Sequence, residues 1–585
     1  MKKLYVLTLL LLTGHISYSQ SFEEVTTAFA TFYFASSDIS DYDNDGDLDV
    51  IICGGIDTSN AGGPTGTGCV LYSNDNGVFT AVEDLGINPL HLGDIKFIDI
   101  NNDGLQDVVI SGQNYDDITQ HILYIYKNTG TGFQLLQQAD GMIYCNIEVM
   151  DINHDGKLDF ILTGVGGNTG RTTKLFTNNG TNFDISTIAI PESQNALGVQ
   201  NGNLKVVDIN NDGNLDFITM GIDYGENYIL KVYSNTNGTF TLKQQFPGYY
   251  NGSISVADFN ADGFMDFVVS GTDINEENKI KVFYNDGQGN FTEHYSDTDG
   301  LAISSGSKNI IVGDINNDGY YDFIVAGSDN DNNDIVKTYI YSYESSTFNL
   351  ATDPTGIAML GGTSNIQFFD YNGDHNSDVL LSGFNYDPQG EYVSMTKLFK
   401  NTSTIANEKP IPPTTLSSEL LENNTVKFTW SGASDDKTQV NALTYYLRVG
   451  TTAGARDVAY YPITTSQWEL KFSSVPQNLF WAVESVDASL IKSLESEEQT
   501  FSTLSTPENQ NSFFTVYPNP TRGTININYS NGLPIESIEL FNMAGQMVKS
   551  QANSTQLDVS GLSNGIYILK LNNNNTLYTQ KIIKQ

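Results

Sequence analysis

Seven times between residues 41 and 378 the sequence runs D-x-[DN]-x-D-x-x-x-D, a nine-residue pattern that sets carboxylate or amide oxygens at positions 1, 3, 5 and 9. The sets are Asp41, Asp43, Asp45 and Asp49; Asp99, Asn101, Asp103 and Asp107; Asp151, Asn153, Asp155 and Asp159; and Asp208, Asn210, Asp212 and Asp216. They continue with Asp258, Asn260, Asp262 and Asp266; Asp314, Asn316, Asp318 and Asp322; and Asp370, Asn372, Asp374 and Asp378. Position 7, filled by Asp47, Leu105, Lys157, Asn214, Phe264, Tyr320 and Asn376, offers a main-chain carbonyl whatever its side chain. Hard oxygens at alternate positions of a tight loop, closed by a carboxylate, suit Ca2+, which takes about six to eight of them. The expectation is therefore a calcium-binding chain holding up to seven ions. Glycine at position 6 permits the turn in six loops, and His375 stands there in the seventh.

One such loop alone would read as an ordinary Asx-rich turn. Seven of them pack carboxylates so closely that they repel unless a cation neutralises them. EF-hands are excluded, because position 12 is Ile52, Ile110, Leu162, Thr219, Val269, Val325 and Leu381 where that loop needs Glu. Paired loops of the dockerin type lie much closer together than these.

The loops must be held by a repeating element, since successive first aspartates are 58, 52, 57, 50, 56 and 56 residues apart. After each loop comes a short apolar run stopped by glycine, as in Asp49 to Gly54, with Gly112, Gly164, Gly221, Gly271, Gly327 and Gly383 in the same place. Such runs predict strands buried on both faces. A later strand, for example Val70 to Tyr72, an Asn/Gly turn and then Phe79, Phe133, Phe183, Phe240 or Phe291 complete four strands per unit. Seven units predict an all-β fold, a seven-bladed β-propeller over residues 20–405. The seventh unit lacks its outer strand after Phe399, while Phe22 to Val25 reads F-E-E-V like the outer strands elsewhere. The N-terminal segment is expected to close the ring by supplying it.

On these motifs residues 22 to 401 resemble the FG-GAP and VCBS repeat families, which include the propeller of integrin α subunits. The resemblance implies ions between the first and second strands of each blade, on one face, with ligands bound by loops on the opposite face. Residues 410–504, after Pro410, Pro412 and Pro413, show alternating strands at Val426 to Trp430, Tyr445 to Val449 and Phe480 to Val486 and resemble a fibronectin type III domain. Trp430 is expected in its core, and Trp468 is a candidate sugar platform. Residues 514–585 contain V-Y-P-N-P at Val516 to Pro520, Gly545, L-D-V-S-G-L from Leu557 and a basic tail, Lys581 to Lys584. They resemble the C-terminal sorting domain of the type IX secretion system of Bacteroidetes, a small β-sandwich, which implies that machinery as a partner. Residues 1–19, with Lys2, Lys3 and an apolar run from Leu4 to Leu12, have signal-peptide anatomy. No later stretch approaches a transmembrane length. The expected location is extracellular or attached to the outer-membrane surface.

A formal net charge of −41 repels phosphates, which argues against nucleic acid as a partner. The 32 Tyr and 31 Phe argue for packed strands rather than acidic disorder. Cys53, Cys69 and Cys145 are too few for a disulfide framework, though Cys53 and Cys69 can bridge neighbouring strands. No H-E-x-x-H, G-x-S-x-G or phosphate-loop pattern is present, and no catalytic residue is assigned. Tyr115, Tyr224, Tyr386 and Tyr392, with Asp116, Asp117, Asp223 and Asp387, outline a candidate rim. The reading is a monomeric binding or adhesion module for an extracellular glycan or protein. Its rival is a carbohydrate-active enzyme, a polysaccharide lyase or glycosidase built on the propeller.

Overall fold

A computed structural model of the chain describes residues 22–57, 64–167, 170–187, 198–236, 238–303, 308–351, 357, 365–386, 392–503, 514–529, 535–573 and 576–585. The leader segment 1–19 and Asp387 lie outside the described residues. Residues 1–501 form one compact unit and residues 502–585 another.

The β-branched and aromatic runs of the repeat become antiparallel strands, and residues 22–401 build seven four-stranded sheets among the described residues. In the first, Tyr33–Ser40, Asp49–Ile56, Gly66–Asp75 and Val78–Val82 pair in sequence order. The next five repeat this order over residues 91–140, 142–187, 204–247, 250–297 and 310–350. The seventh joins Asn365–Phe369, Asp378–Tyr386 and Tyr392–Asn401 to Phe22–Val25 from the N-terminal segment. Its register shows why that segment fits. In five sheets a Phe at the first or second position of the outer strand faces an Asn, as Phe79 faces Asn74 and Phe183 faces Asn178. Phe22 faces Asn401 in the same way and is buried beside Phe399 and Val379.

The first strand of each sheet touches the first strand of the next, and that of the seventh touches that of the first. Polar side chains five residues before each loop, Ser36, Asp94, Asn146, Asn203, Ser253, Asn309 and Asn365, are all buried along this circuit. They stitch one sheet to its neighbour. Ser36 Oγ donates to Asp94 Oδ1 at 2.6 Å, Ile147 N donates to Asp94 Oδ2 at 3.0 Å, and Leu204 N donates to Asn146 Oδ1 at 3.1 Å. Ile254 N donates to Asn203 Oδ1 at 2.9 Å, and Ser253 Oγ to Asn309 Oδ1 at 2.6 Å. Gln367 Nε2 returns to Ser37 Oγ at 2.9 Å and so ties the seventh sheet to the first. Cys53 and Cys69, paired across two strands of the first sheet, form a disulfide, and Cys145 is a buried thiol.

Residues 415–502 form a three-stranded and a four-stranded sheet around Trp430 and Trp481, both buried. The proline-rich stretch does not hold this body away from the repeats. A single apolar core joins Phe160 and Phe176 of the third sheet to Val426, Tyr461 and Trp468, and Ala442 and Ala488 pack with Phe259 and Tyr321. Residues 514–585 build a separate pair of sheets of three and four strands around Ile525, Ile538, Leu540, Leu569 and Ile582.

Candidate metal centre

Each of the seven acidic loops turns between the first and second strands of its sheet, and all seven fold alike. The carboxylate at position 1 accepts the backbone N–H groups of positions 5 and 6. For Asp41 these are Asp45 and Gly46 at 3.1 and 3.2 Å, for Asp99 they are Asp103 and Gly104 at 3.1 and 2.8 Å, and for Asp370 they are Asp374 and His375 at 3.1 and 2.8 Å. Position 5 accepts the N–H of position 7, as Asp103 does from Leu105 and Asp155 from Lys157, both at 3.0 Å. Position 9 accepts the N–H of position 2 on one oxygen and, on the other, the N–H of the third-strand residue that ends the sheet. For Asp378 that residue is Asn401 at 2.7 Å, so the closing N-terminal strand and the seventh loop meet at one residue.

These amides preorganise carboxylates that burial disfavours. Asp49, Asp107, Asp159 and Asp216 at position 9 are fully buried. Burial, with neighbouring loop carboxylates adding to it and the amides offsetting part, pushes all four up to about 7 and Asp378 up to about 8. Asp151 and Asp258 at position 1 rise to about 7 for the same first reason, and Asp208 to about 6. A cation removes this conflict. In the first loop Asp41, Asp43 and Asp49, and in the seventh Asp370, Asp374 and Asp378, each present an oxygen within 4.8 Å of the others. Donor chemistry and spacing thus fit a hard divalent ion. Ammonium groups stand at three loops: Lys157 lies 2.8 Å from Asp155, Lys400 2.9 Å from Asp374 and Lys127 3.4 Å from Asp103.

Position 4, which the sequence pattern leaves open, is functional in the fold. Asn44, Asn102, His154, Asn211, Ala261 and Asn317 adopt left-handed backbone there, a conformation Asn tolerates better than most residues, and Gly373 does so in the seventh loop. The Asn side chains then link consecutive loops: Asn102 Nδ2 donates to Gly156 O at 3.0 Å and Asn211 Nδ2 to Gly263 O at 2.9 Å. The N-N-D-G wording of three loops was the available signal for this.

The loop face also carries the 415–502 body. Asn102 Nδ2 donates to Val458 O at 2.8 Å, Asp314 N to Ala488 O at 2.8 Å, and Ser377 Oγ to Ser489 O at 2.9 Å. Arg456 donates to Asn44 Oδ1 and, at 3.2 Å, to Gly104 O. His154 stacks on Trp468 with ring centroids 4.6 Å apart. Trp468 is buried at this contact, 6% exposed, which corrects its reading as a sugar platform.

Family comparison decides what kind of chain this is. FG-GAP-like repeats match residues 99–162, 151–219, 208–269, 258–325 and 314–381, and a secretion system C-terminal sorting domain matches residues 515–585. The chain is an exported FG-GAP repeat protein. Each repeat match runs from one acidic loop to the next. The sorting domain makes this FG-GAP protein a client of the type IX secretion machinery, secreted or attached to the cell surface. No described helix is long and apolar enough to cross a membrane.

No curated protein matches the sequence. Among solved structures, the exotype rhamnogalacturonan lyase YesX is 13% identical, with 66% of this chain and 74% of that one covered and a TM-score of 0.37. The extracellular domain of a hybrid two-component system from B. thetaiotaomicron is 11% identical over 82% of this chain and 57% of that one, with a TM-score of 0.35. Chicken CNTN1 FN1–FN3 domains are 15% identical over 36% and 77%, with a TM-score of 0.17.

The expected rim of the FG-GAP repeats is partly engaged by its own structure. Tyr115 donates to Pro64 O at 2.8 Å, Asp117 accepts from Thr119 and Gln120, and Asp223 accepts the amides of Gly225 and Asn227. Tyr224 is exposed, and Tyr386 pairs with Tyr392 as strand neighbours.

Proposed function

We propose that the seven sheets are blades of one closed propeller, that Ca2+ occupies the acidic loops, and that the exported monomer binds an extracellular glycan or protein. The ions would be held by the oxygens at positions 1, 3, 5 and 9 of each loop, with the position-7 carbonyls of Asp47, Leu105, Lys157, Asn214, Phe264, Tyr320 and Asn376 completing them. Bound Ca2+ supplies the positive charge that lets buried carboxylates such as Asp107 and Asp216 stay ionised. The 410–504 body is read as fibronectin type III-like, on the strength of its three-plus-four strand arrangement and buried Trp430.

One observation carries the binding reading: residues 402–501 contact the loop side of the repeats at six of the seven loops, from Asn44 to Ser377. The turns at the other ends of the sheets, such as residues 114–120, 223–227, 273–277 and 329–333, then form the accessible end of the ring. These turns latch one sheet to the next, as Arg171 does by its two-pronged bond to Glu226 at 2.6 and 3.0 Å and Asn278 N by its bond to Asn330 at 2.7 Å. A rigid, preformed row of turns suits recognition.

The test is a glycan array and an extracellular protein panel probed with calcium-loaded protein, run beside a polysaccharide depolymerisation screen. Saturable binding that is lost on altering the 223–227 or 273–277 turn supports the reading. Turnover of a polysaccharide that one non-loop carboxylate abolishes overturns it in favour of an enzyme.

A further inference from the structure

We propose that cation binding at the third acidic loop and docking of residues 415–502 onto the repeats are a single coupled equilibrium, with Tyr461 as the coupling residue. The inference rests on the calcium reading above. Tyr461 belongs to the second body, and its hydroxyl donates to Oδ2 of Asp151, position 1 of the third loop, at 2.7 Å. The same hydroxyl accepts a hydrogen bond from Trp468 Nε1 at 3.0 Å, so its proton points at Asp151. All three side chains are buried.

The rest of this contact is also made of loop residues. His154 at position 4 stacks on Trp468, its Nδ1 lies 3.0 Å from Glu469 O, and its carbonyl accepts Lys471 N at 2.6 Å. A Cβ at Gly156, position 6, would lie 2.4 Å from Val458 O, so the second body approaches too closely for any residue but glycine. The surface that residues 458–471 recognise is thus the loop in its folded form. A cation that stabilises this form stabilises docking, and by reciprocity docking tightens the cation. Tyr461 is a positioning residue here: it fixes one oxygen of Asp151 and leaves the ion to the loop's own donors.

The fourth loop supplies the contrast. A Cβ at Gly213, its position 6, would meet nothing within 4 Å, and among the described residues the bonds of Asp208 stay within its own loop, with no counterpart to that of Tyr461. An ion lost there should leave docking intact.

The experiment uses the mature full-length protein, with calcium counted by equilibrium dialysis and docking read by hydrogen exchange of residues 402–413 and 458–471 and by Trp fluorescence. With calcium both segments are expected to be protected. In chelator their exchange should rise at least tenfold while the cores around Trp430 and Trp481 stay protected. Tyr461→Phe should weaken one ion equivalent by roughly tenfold, the scale of one hydrogen bond to a charged group. Asp212→Asn should remove an ion without changing exchange at residues 458–471, and it serves as the comparison should Tyr461→Phe not fold. Calcium that binds stoichiometrically yet leaves exchange at 458–471 unchanged overturns the coupling alone. Absence of calcium binding overturns the underlying calcium reading together with it.

Discussion

Lys308 places its ammonium 2.8 Å from Oδ1 of Asp94, 214 positions away in sequence, and joins the sixth repeat to the second. The Asp94 side chain is 1% exposed and that of Lys308 13%. The same carboxylate accepts from Ser36 of the first sheet and from Ile147 of the third. Four repeats therefore meet on one side chain. Burial works against its charge, but Lys308 and Lys96 hold its pKa below the usual carboxylate range.

Lys308→Met should destabilise the protein by roughly 3–5 kcal/mol, because a buried charge loses its partner. Asp94→Asn combined with Lys308→Met should recover much of that loss, since no charge is then left alone. Denaturant unfolding of the two single variants and the double variant measures the coupling. Because the folded pKa of Asp94 is depressed, its contribution is complete above about pH 4 and is lost as pH falls through the folded value. Additive losses in the double variant would remove Asp94 and Lys308 from the closure of the ring.

The loop carboxylates reverse that pH behaviour. In chelated protein Asp49, Asp107, Asp159 and Asp216 rise to about 7, above their unfolded value near 4, so the folded state holds more protons than the unfolded state between those limits. Stability in chelator should therefore fall as pH rises from about 4 to 7. With calcium the fall should vanish, because the ion replaces the protons. Thermal melts at pH 5, 6, 7 and 8, with and without chelator, separate the two curves. Parallel curves would show that the loops hold no ion.

Phe22 is 5% exposed and takes the place that Phe183 or Phe291 occupies in other sheets. Phe22→Ala should cost roughly 3–5 kcal/mol, the usual loss for a buried Phe. Removing residues 20–30 should do more, since it leaves the strand Tyr392–Asn401 with an open edge. The check is a melt followed by light scattering. A truncated chain that melts unchanged and stays monomeric would show that ring closure does not depend on this strand.

Much of this arrangement is legible in the sequence because it repeats. The loop aspartates, the apolar runs after them and the Phe of the outer strand recur at fixed offsets, and Phe22 was identifiable by its likeness to those Phe segments. Single polar residues inside apolar strands were less visible. Asp94, Asn146 and Asn203 each look like a local exception, and only their shared offset from the loop shows that they face the neighbouring sheet. Docking of the second body was hidden for a different reason. Pro410, Pro412 and Pro413 stiffen a segment without saying where it leads. Tyr461 and Trp468 meet Asp151 and His154 through contacts that span more than 300 positions and carry no motif.

Asn178 shows how one side chain spans two repeats. Its N–H donates to Asp159 Oδ1 at 2.7 Å, while Nδ2 donates to Leu158 O in its own sheet at 3.3 Å and to Ile100 O of the preceding loop at 2.6 Å. Asn178→Ala keeps the backbone bond and strands the Ile100 carbonyl in a buried site, which should cost roughly 1–3 kcal/mol. Asn128 and Asn285 reach the carbonyls of Tyr42 and Ile209 in the same way, at 3.3 and 2.8 Å. The shorter bonds of Asn178 and Asn285 predict larger losses there than at Asn128. Denaturant midpoints of the three Ala variants test the order. If Asn128→Ala proved the most damaging, these amides would act within their own sheets rather than between them.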